Sequence, residues 1–347
     1  MKEEVRKLWN LCFGDNEEFT ELYFSRRYNE DVNLAIEEEG KVISALQLLP
    51  YPMTFCKEII PTGYISGACT HPDYRSKGVM KRLLSKAFQR MQERDVPLST
   101  LIPAEEWLFD YYWKMGYVPV FEYTENACFK KELIPSHKYI ITEYTSADHH
   151  IFPYFEKKMK ERPCCIQHTL EDFMVIVDDF NLGKGKILVA SSGGEIEGMV
   201  FCYAEKETLF VSELFYENKL VKDTLLYTAA EEMNTEKIKI KSPAAYKKGE
   251  ILGMARIINA EAMLQTFAFN YPDIKISFRL EDQQIELNNR IFSMNRGKIK
   301  VDNSKETPLQ IDIRQLTQAL LGYDIEQLPE EFREFPKQAP YMSLMLD

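Results

Sequence analysis

The chain is 347 residues long, 45% hydrophobic and 12% aromatic, with a formal charge of −11. That length calls for two or three domains, each with its own core, and the apolar content excludes a disordered chain. The acidic balance argues against general nucleic-acid affinity and favours cationic ligands, and no apolar run nears the roughly 20 residues that span a bilayer. Seven cysteines without a C-x-x-C pair, behind a charged start (Met1-Lys2-Glu3-Glu4-Val5-Arg6), point to a reducing cytoplasm and no signal peptide.

Val5, Leu8, Trp9, Cys12 and Phe13 mark one face of a first helix, and Phe19, Leu22 and Tyr23 a second. Asn33 to Glu38 and Val42 to Leu49 form a hairpin around Glu39-Gly40. Phe55 to Ile60 and Tyr64 to Thr70 read as two further strands. A basic turn, Arg75-Ser76-Lys77-Gly78, then leads into a helix carrying Val79, Met80, Leu83, Leu84, Ala87, Phe88 and Met91. A strand entering a glycine turn that opens a helix leaves N–H groups unpaired at the positive end of the helix dipole, which seats a phosphate. Pro97 to Ile102 gives the next strand, and Glu105 to Met115 a helix stopped by Gly116.

The turn Arg75-x-x-Gly78-x-Met80 resembles the pyrophosphate loop of the GNAT superfamily of N-acetyltransferases, R/Q-x-x-G-x-G/A, with Met80 where that pattern has a small residue. Tyr112-x-x-x-Gly116-Tyr117 is similar to the family's Tyr-x-x-x-Gly-aromatic signature, and the element order up to about residue 130 is alike. The resemblance implies acetyl-CoA as co-substrate, with Arg75, Ser76, Lys77, Gly78, Val79 and Met80 around the pyrophosphate. It also implies main chain near Ala68 and Thr70 along the pantetheine arm, and Tyr112 as the acid that protonates the thiolate. Read from spacing alone, Tyr112 is one residue of an apolar face with Trp107, Leu108, Tyr111 and Met115.

After Ile134-Pro135-Ser136-His137 the order of elements repeats, with strands at Tyr139 to Glu143, Lys186 to Ala190, Ile196 to Tyr203 and Leu209 to Phe215, and a helix from Lys219 to Met233. Tyr216-Glu217-Asn218-Lys219 stands at the place of the phosphate turn, with no glycine and a repelling carboxylate. Beyond Lys241-Ser242-Pro243, strands and helices follow from Gly253, with Gln284 to Leu287 read as one of the strands. That part resembles the sterol-carrier-like domain ending the enhanced intracellular survival family. The expectation is an α+β chain: residues 1–134 a catalytic GNAT domain, 135–243 a degenerate second copy, 244–347 sterol-carrier-like.

In that family the terminal carboxylate enters the cleft as a base, so the resemblance gives that role to Asp347; the apolar tail before it also reads as one that docks for stability. Glu105 and Glu106 read either as seats for a protonated amine or as charges favouring a helix N-terminus. His149-His150 and Cys164-Cys165 near His168 lack the separated-pair spacing of zinc ligands, so no metal is expected. The expected partner is a small-molecule or peptide amine, with homo-oligomerisation implied by the resemblance. The competing readings are a lipid- or peptide-binding protein on a silent scaffold and an enzyme using another acyl-CoA.

Overall fold

The computed structural model describes residues 1–145, 149–244, 248–302 and 309–346. Its first part runs α1 (Lys2–Cys12), α2 (Glu17–Arg26), β1 (Asn33–Glu38), β2 (Lys41–Phe55), β3 (Glu58–Thr70), α3 (Val79–Glu93), β4 (Leu98–Leu101), α4 (Glu106–Lys114) and β5 (Val118–Phe129). The side chain of Asn16 caps α2 by accepting from the Phe19 N–H at 2.7 Å. The stretches read separately as Phe55 to Ile60 and Tyr64 to Thr70 belong to one long hairpin that turns at Cys56-Lys57, both at positive φ. Prolines 50, 52 and 61 lie within this hairpin. They are tolerated because Leu48 and Thr54, of the same parity as Pro50 and Pro52, send their N–H groups away from β3.

The second part holds β6 (Ile140–Glu143), α5 (Phe152–Lys160), α6 (Leu170–Leu182), β7 (Lys186–Ser192), β8 (Glu195–Glu205), β9 (Thr208–Tyr216), α7 (Lys219–Glu232) and β10 (Lys237–Pro243). The third holds β11 (Glu250–Ile257), α8 (Ala260–Asn270), β12 (Ile276–Glu281), β13 (Ile291–Asn295), β14 (Lys298–Val301), β15 (Gln310–Asp312) and α9 (Ile313–Leu321). Gln284 to Leu287 is not a strand: Asp282 Oδ1 accepts from the N–H groups of Gln284 and Ile285, and a 3-10 turn follows at Glu286–Asn288.

One sheet of 11 strands joins all three parts, in the order β1-β2-β3-β4-β11-β5-β10-β9-β8-β7-β6. β11 lies hydrogen-bonded between β4 and β5, and β10 pairs antiparallel with β5 along Tyr123 to Phe129. A smaller sheet, β14-β13-β12-β15, packs with α8 and α9 over a core filled by Phe267, Phe278, Phe292, Phe332 and Phe335. The mixed α+β architecture agrees with the expectation.

Arg256 on β11 is fully buried, its guanidinium 2.8 and 2.7 Å from the two oxygens of Asp282. It also donates to the carbonyl of Met115, at the end of α4, and lies 4.5 Å from the centre of the Phe88 ring on α3. Gly116 must stay glycine: it holds φ +86°, and a Cβ would fall 2.0 Å from Arg256 Nη1. Removing one partner strands a buried charge, so Asp282→Ala should cost about 3–5 kcal/mol in urea unfolding. A loss below about 1 kcal/mol would show that this ion pair does not hold the parts together.

Candidate active site

β3 and β4 run parallel but pair only over Thr62–Tyr64 and Leu98–Thr100. β4 then ends, while β3 continues to Thr70, so the edge from Ile65 to Thr70 opens into a gap. A bulge sits on that free stretch, where pairing with β2 slips between Gln47↔Ser66 and Ala45↔Cys69. Gly67 makes it possible at φ +57°, since a Cβ there would lie 2.1 Å from the Trp9 ring. The expected pantetheine-pairing residues, Ala68 and Thr70, lie half-buried at this bulge and at the end of the strand.

Beyond the free edge, a 3-10 turn at Pro72–Tyr74 carries the chain to Arg75, Ser76, Lys77 and Gly78, all exposed. Ser76 takes φ +59° and Gly78 φ +73°, and Gly78 opens α3 with no side-chain cap. Among the described residues no backbone oxygen accepts from the N–H groups of Val79, Met80 or Lys81. The second copy differs at this point. There the Asn218 side chain accepts from Leu220 and Val221 and closes the N-terminus of α7. Met80 is half-buried against the cluster of Leu83, Leu84 and Phe88, while nothing lies within 4 Å of a Cβ built on Gly78. Met80 thus anchors the helix to its core.

Beside the turn lies one group that motif reading missed, Cys12 at the end of α1. Arg75 donates to the Thr70 carbonyl at 3.1 Å, and its Nη2 lies 3.8 Å from the Cys12 sulfur. A hydrogen bond from Cys69, with Arg75 beside it, brings the Cys12 thiol down to about 6 and drives the Cys69 thiol up.

Tyr112, on α4, is buried beside Tyr117 and Tyr111, at 5.7 and 5.4 Å between ring centres. Burial raises its phenol well above the ordinary range, with those two tyrosines adding to the shift, so it stays protonated at neutral pH. Its hydroxyl has no hydrogen-bond partner among the described residues. Tyr112 lies on the apolar face expected from its spacing, in one cluster with Met115, Tyr117 and Leu84. Glu105 and Glu106 stand exposed where α4 begins, and Glu105 accepts from the Trp107 indole at 2.7 Å.

Residues 2–120 match the acetyltransferase (GNAT) domain family and residues 260–328 the sterol carrier protein domain. The chain carries a GNAT domain. Over nearly its whole length it shares its fold with a GCN5-related N-acetyltransferase from Anabaena variabilis (TM-score 0.80, 17% identity, 98% of this chain and 96% of that one). Eis1 from Mycobacterium abscessus is similar too (TM-score 0.75, 12% identity, 98% and 97%). So is an Enterococcus faecalis protein of unknown function described as a probable N-acyltransferase (TM-score 0.75, 19% identity, 93% and 87%). No curated protein sequence matches the chain. A GNAT fold supports acyl transfer as the reaction class.

The tail runs back to the GNAT domain. Tyr341 donates to the Cys164 carbonyl and accepts from the Ile166 N–H, the Ser343 hydroxyl donates to Glu213 at 2.7 Å, and Glu213 is held by Arg162 at 2.7 and 2.8 Å. Leu346 is buried in one cluster with Val5, Trp9, Tyr23 and Cys69. Asp347 lies outside the described residues. No group of three or more His, Cys, Asp or Glu able to hold a metal occurs among the described residues. His168 is instead a tail anchor, with Nε2 2.9 Å from the Ser343 carbonyl oxygen.

Burial lowers the His168 pKa and Arg27 acts in the same direction, against the opposing pull of Asp172, Glu213 and the Ser343 carbonyl. A base whose folded pKa is depressed stabilises the fold fully above its unfolded pKa, about 6.5, and loses that contribution as pH falls below it. Melting temperature should therefore drop from about pH 7 to pH 5.5, and His168→Gln should flatten the slope. Equal slopes in both proteins would remove His168 from the account.

Proposed function

We propose that this chain is an acetyl-CoA-dependent N-acetyltransferase in which the amine attacks the thioester directly. The observation that carries the proposal is the conjunction at one end of β3: an uncapped α3 N-terminus beside a bulged, unpaired strand edge. The N–H groups of Val79 and Met80, with Arg75 and Lys77, hold the pyrophosphate, and Ser76 and Gly78 supply the left-handed turn that exposes them. The free edge near Ala68 and Thr70 takes the pantetheine as an added strand and polarises the carbonyl.

The amine nitrogen adds to the carbonyl carbon and gives a tetrahedral intermediate. Collapse breaks the C–S bond, and the departing thiolate takes the proton of Tyr112, whose raised pKa keeps it in the acid form. The proton shed by the amine passes to Asp347, the residue after the buried Leu346. Only an open N-terminus on α3, and not the closed one on α7, suits phosphate, so the first copy is the one that turns over.

Calorimetric titration with acetyl-CoA tests the cofactor; the silent-scaffold reading requires no uptake, and longer acyl-CoA thioesters test chain preference. Tyr112→Phe should lower kcat by about 10²–10⁴-fold while leaving acetyl-CoA affinity within about twofold. Unchanged turnover in that variant would refute the assignment of the acid.

A further inference from the structure

Past the end of β4, a cavity of about 370 Å³ lies between the sheet, α6 and the tail. One wall is the sheet, with Ile102 just past β4, Leu252 on β11, Tyr123 on β5 and Tyr203 on β8; the others are α6 and the tail. Leu101 belongs to the cluster with Tyr112 and α3, whereas Ile102, the next residue, packs with the opposite cluster. A molecule in the cavity therefore meets the end of β4 from the face opposite α3.

The lining is largely apolar and aromatic, and Asp179, on α6, is its one carboxylate among the described residues. No cation or hydrogen-bond donor among the described residues pairs with that carboxylate. Lys241, also in the lining, lies 4.7 Å over the Tyr123 ring, and the neighbouring Asp178 is held by Arg26. Burial alone shifts the Asp179 carboxyl upward, and no positive group counters it. A half-buried carboxylate with no counter-charge is costly unless something cationic arrives to share the site.

We propose that this cavity is the acceptor site and that it takes a primary monoamine carried on an apolar, arylalkyl-type body: Asp179 receives it as the ammonium on entry, and the nitrogen releases one proton to solvent before it attacks the thioester. The proposal rests on the acetyltransferase reading above and moves amine recognition away from Glu105 and Glu106, which stand exposed at α4. Phe180, Tyr203, Leu252 and Met345 form the apolar surround for the body of the amine. A single carboxylate is matched by a single ammonium. A polyamine would bring further charges into a wall that holds Lys241 and no second acid among the described residues.

The test uses the full chain with phenethylamine, tryptamine and spermidine as acceptors, reading CoA release, and calorimetry for binding of each amine alone. The arylalkyl amines should bind and be acetylated with lower KM than spermidine. Asp179→Asn should raise their KM about tenfold or more with acetyl-CoA affinity unchanged, and Asp179→Glu should recover part of the loss. An unchanged KM in Asp179→Asn, or a preference for spermidine, overturns the proposal. If acetyl-CoA fails to bind while phenethylamine binds and is lost in Asp179→Asn, the cavity assignment stands and the cofactor reading falls. If acetyl-CoA binds and neither arylalkyl amine binds, the cofactor reading stands and the cavity assignment falls.

Discussion

The buried guanidinium of Arg256 is the constraint from which the arrangement of the three parts follows. A fully desolvated charge is costly unless it is paired and hydrogen-bonded. Asp282 supplies both oxygens, and Asp282 is itself held by the N–H groups of Gln284 and Ile285 and by Asn288 at 2.9 Å. The Met115 carbonyl takes another N–H, which fixes the end of the helix bearing Tyr112, and Phe88 packs on the flat face of the cation. The sterol-carrier-like part thereby sets the position of a residue assigned to chemistry. Its interior is filled by phenylalanine rings, as suits a brace.

A second set of polar contacts does the same from the other side of the sheet. Arg162, Glu213, Ser343 and His168 bind the tail to the second part, and Arg27 with Asp172 binds that part to α2. The second part has an asparagine cap where α3 has an open turn, and it contributes walls: α6, the strands beneath it, and the segment around Cys164–His168 that receives the tail. The gap between β3 and β4 thus has the α3 turn and Tyr112 on one face and the tail-lined cavity on the other.

Much of this was legible because local signals were strong. Val79, Leu83, Leu84, Ala87, Phe88 and Met91 repeat at helical spacing and are all buried, and the glycine turn before them is uncapped as expected. The apolar tail is buried, as its composition implied. Long-range facts left weaker traces. α6 went unread because its first turn and its Asp178-Asp179 pair look like loop, although Thr169 and Asp172 form a capping box that marks its start. Gly67, within a strand, was the available clue to the bulge. Nothing local to residues 250–257 announces that they pair with β4 and β5; strand insertion is decided by partners some 130 to 160 positions away.

That insertion has a consequence for synthesis on the ribosome. The GNAT domain lies at the beginning of the chain, yet a strand near the middle of its sheet is Glu250–Ile257. Until those residues emerge, β4 and β5 present bare edges to each other across an empty slot, a template for pairing with other chains. The first domain to be made is therefore among the last to close, and its nascent form depends on whatever keeps open sheet edges apart in the meantime.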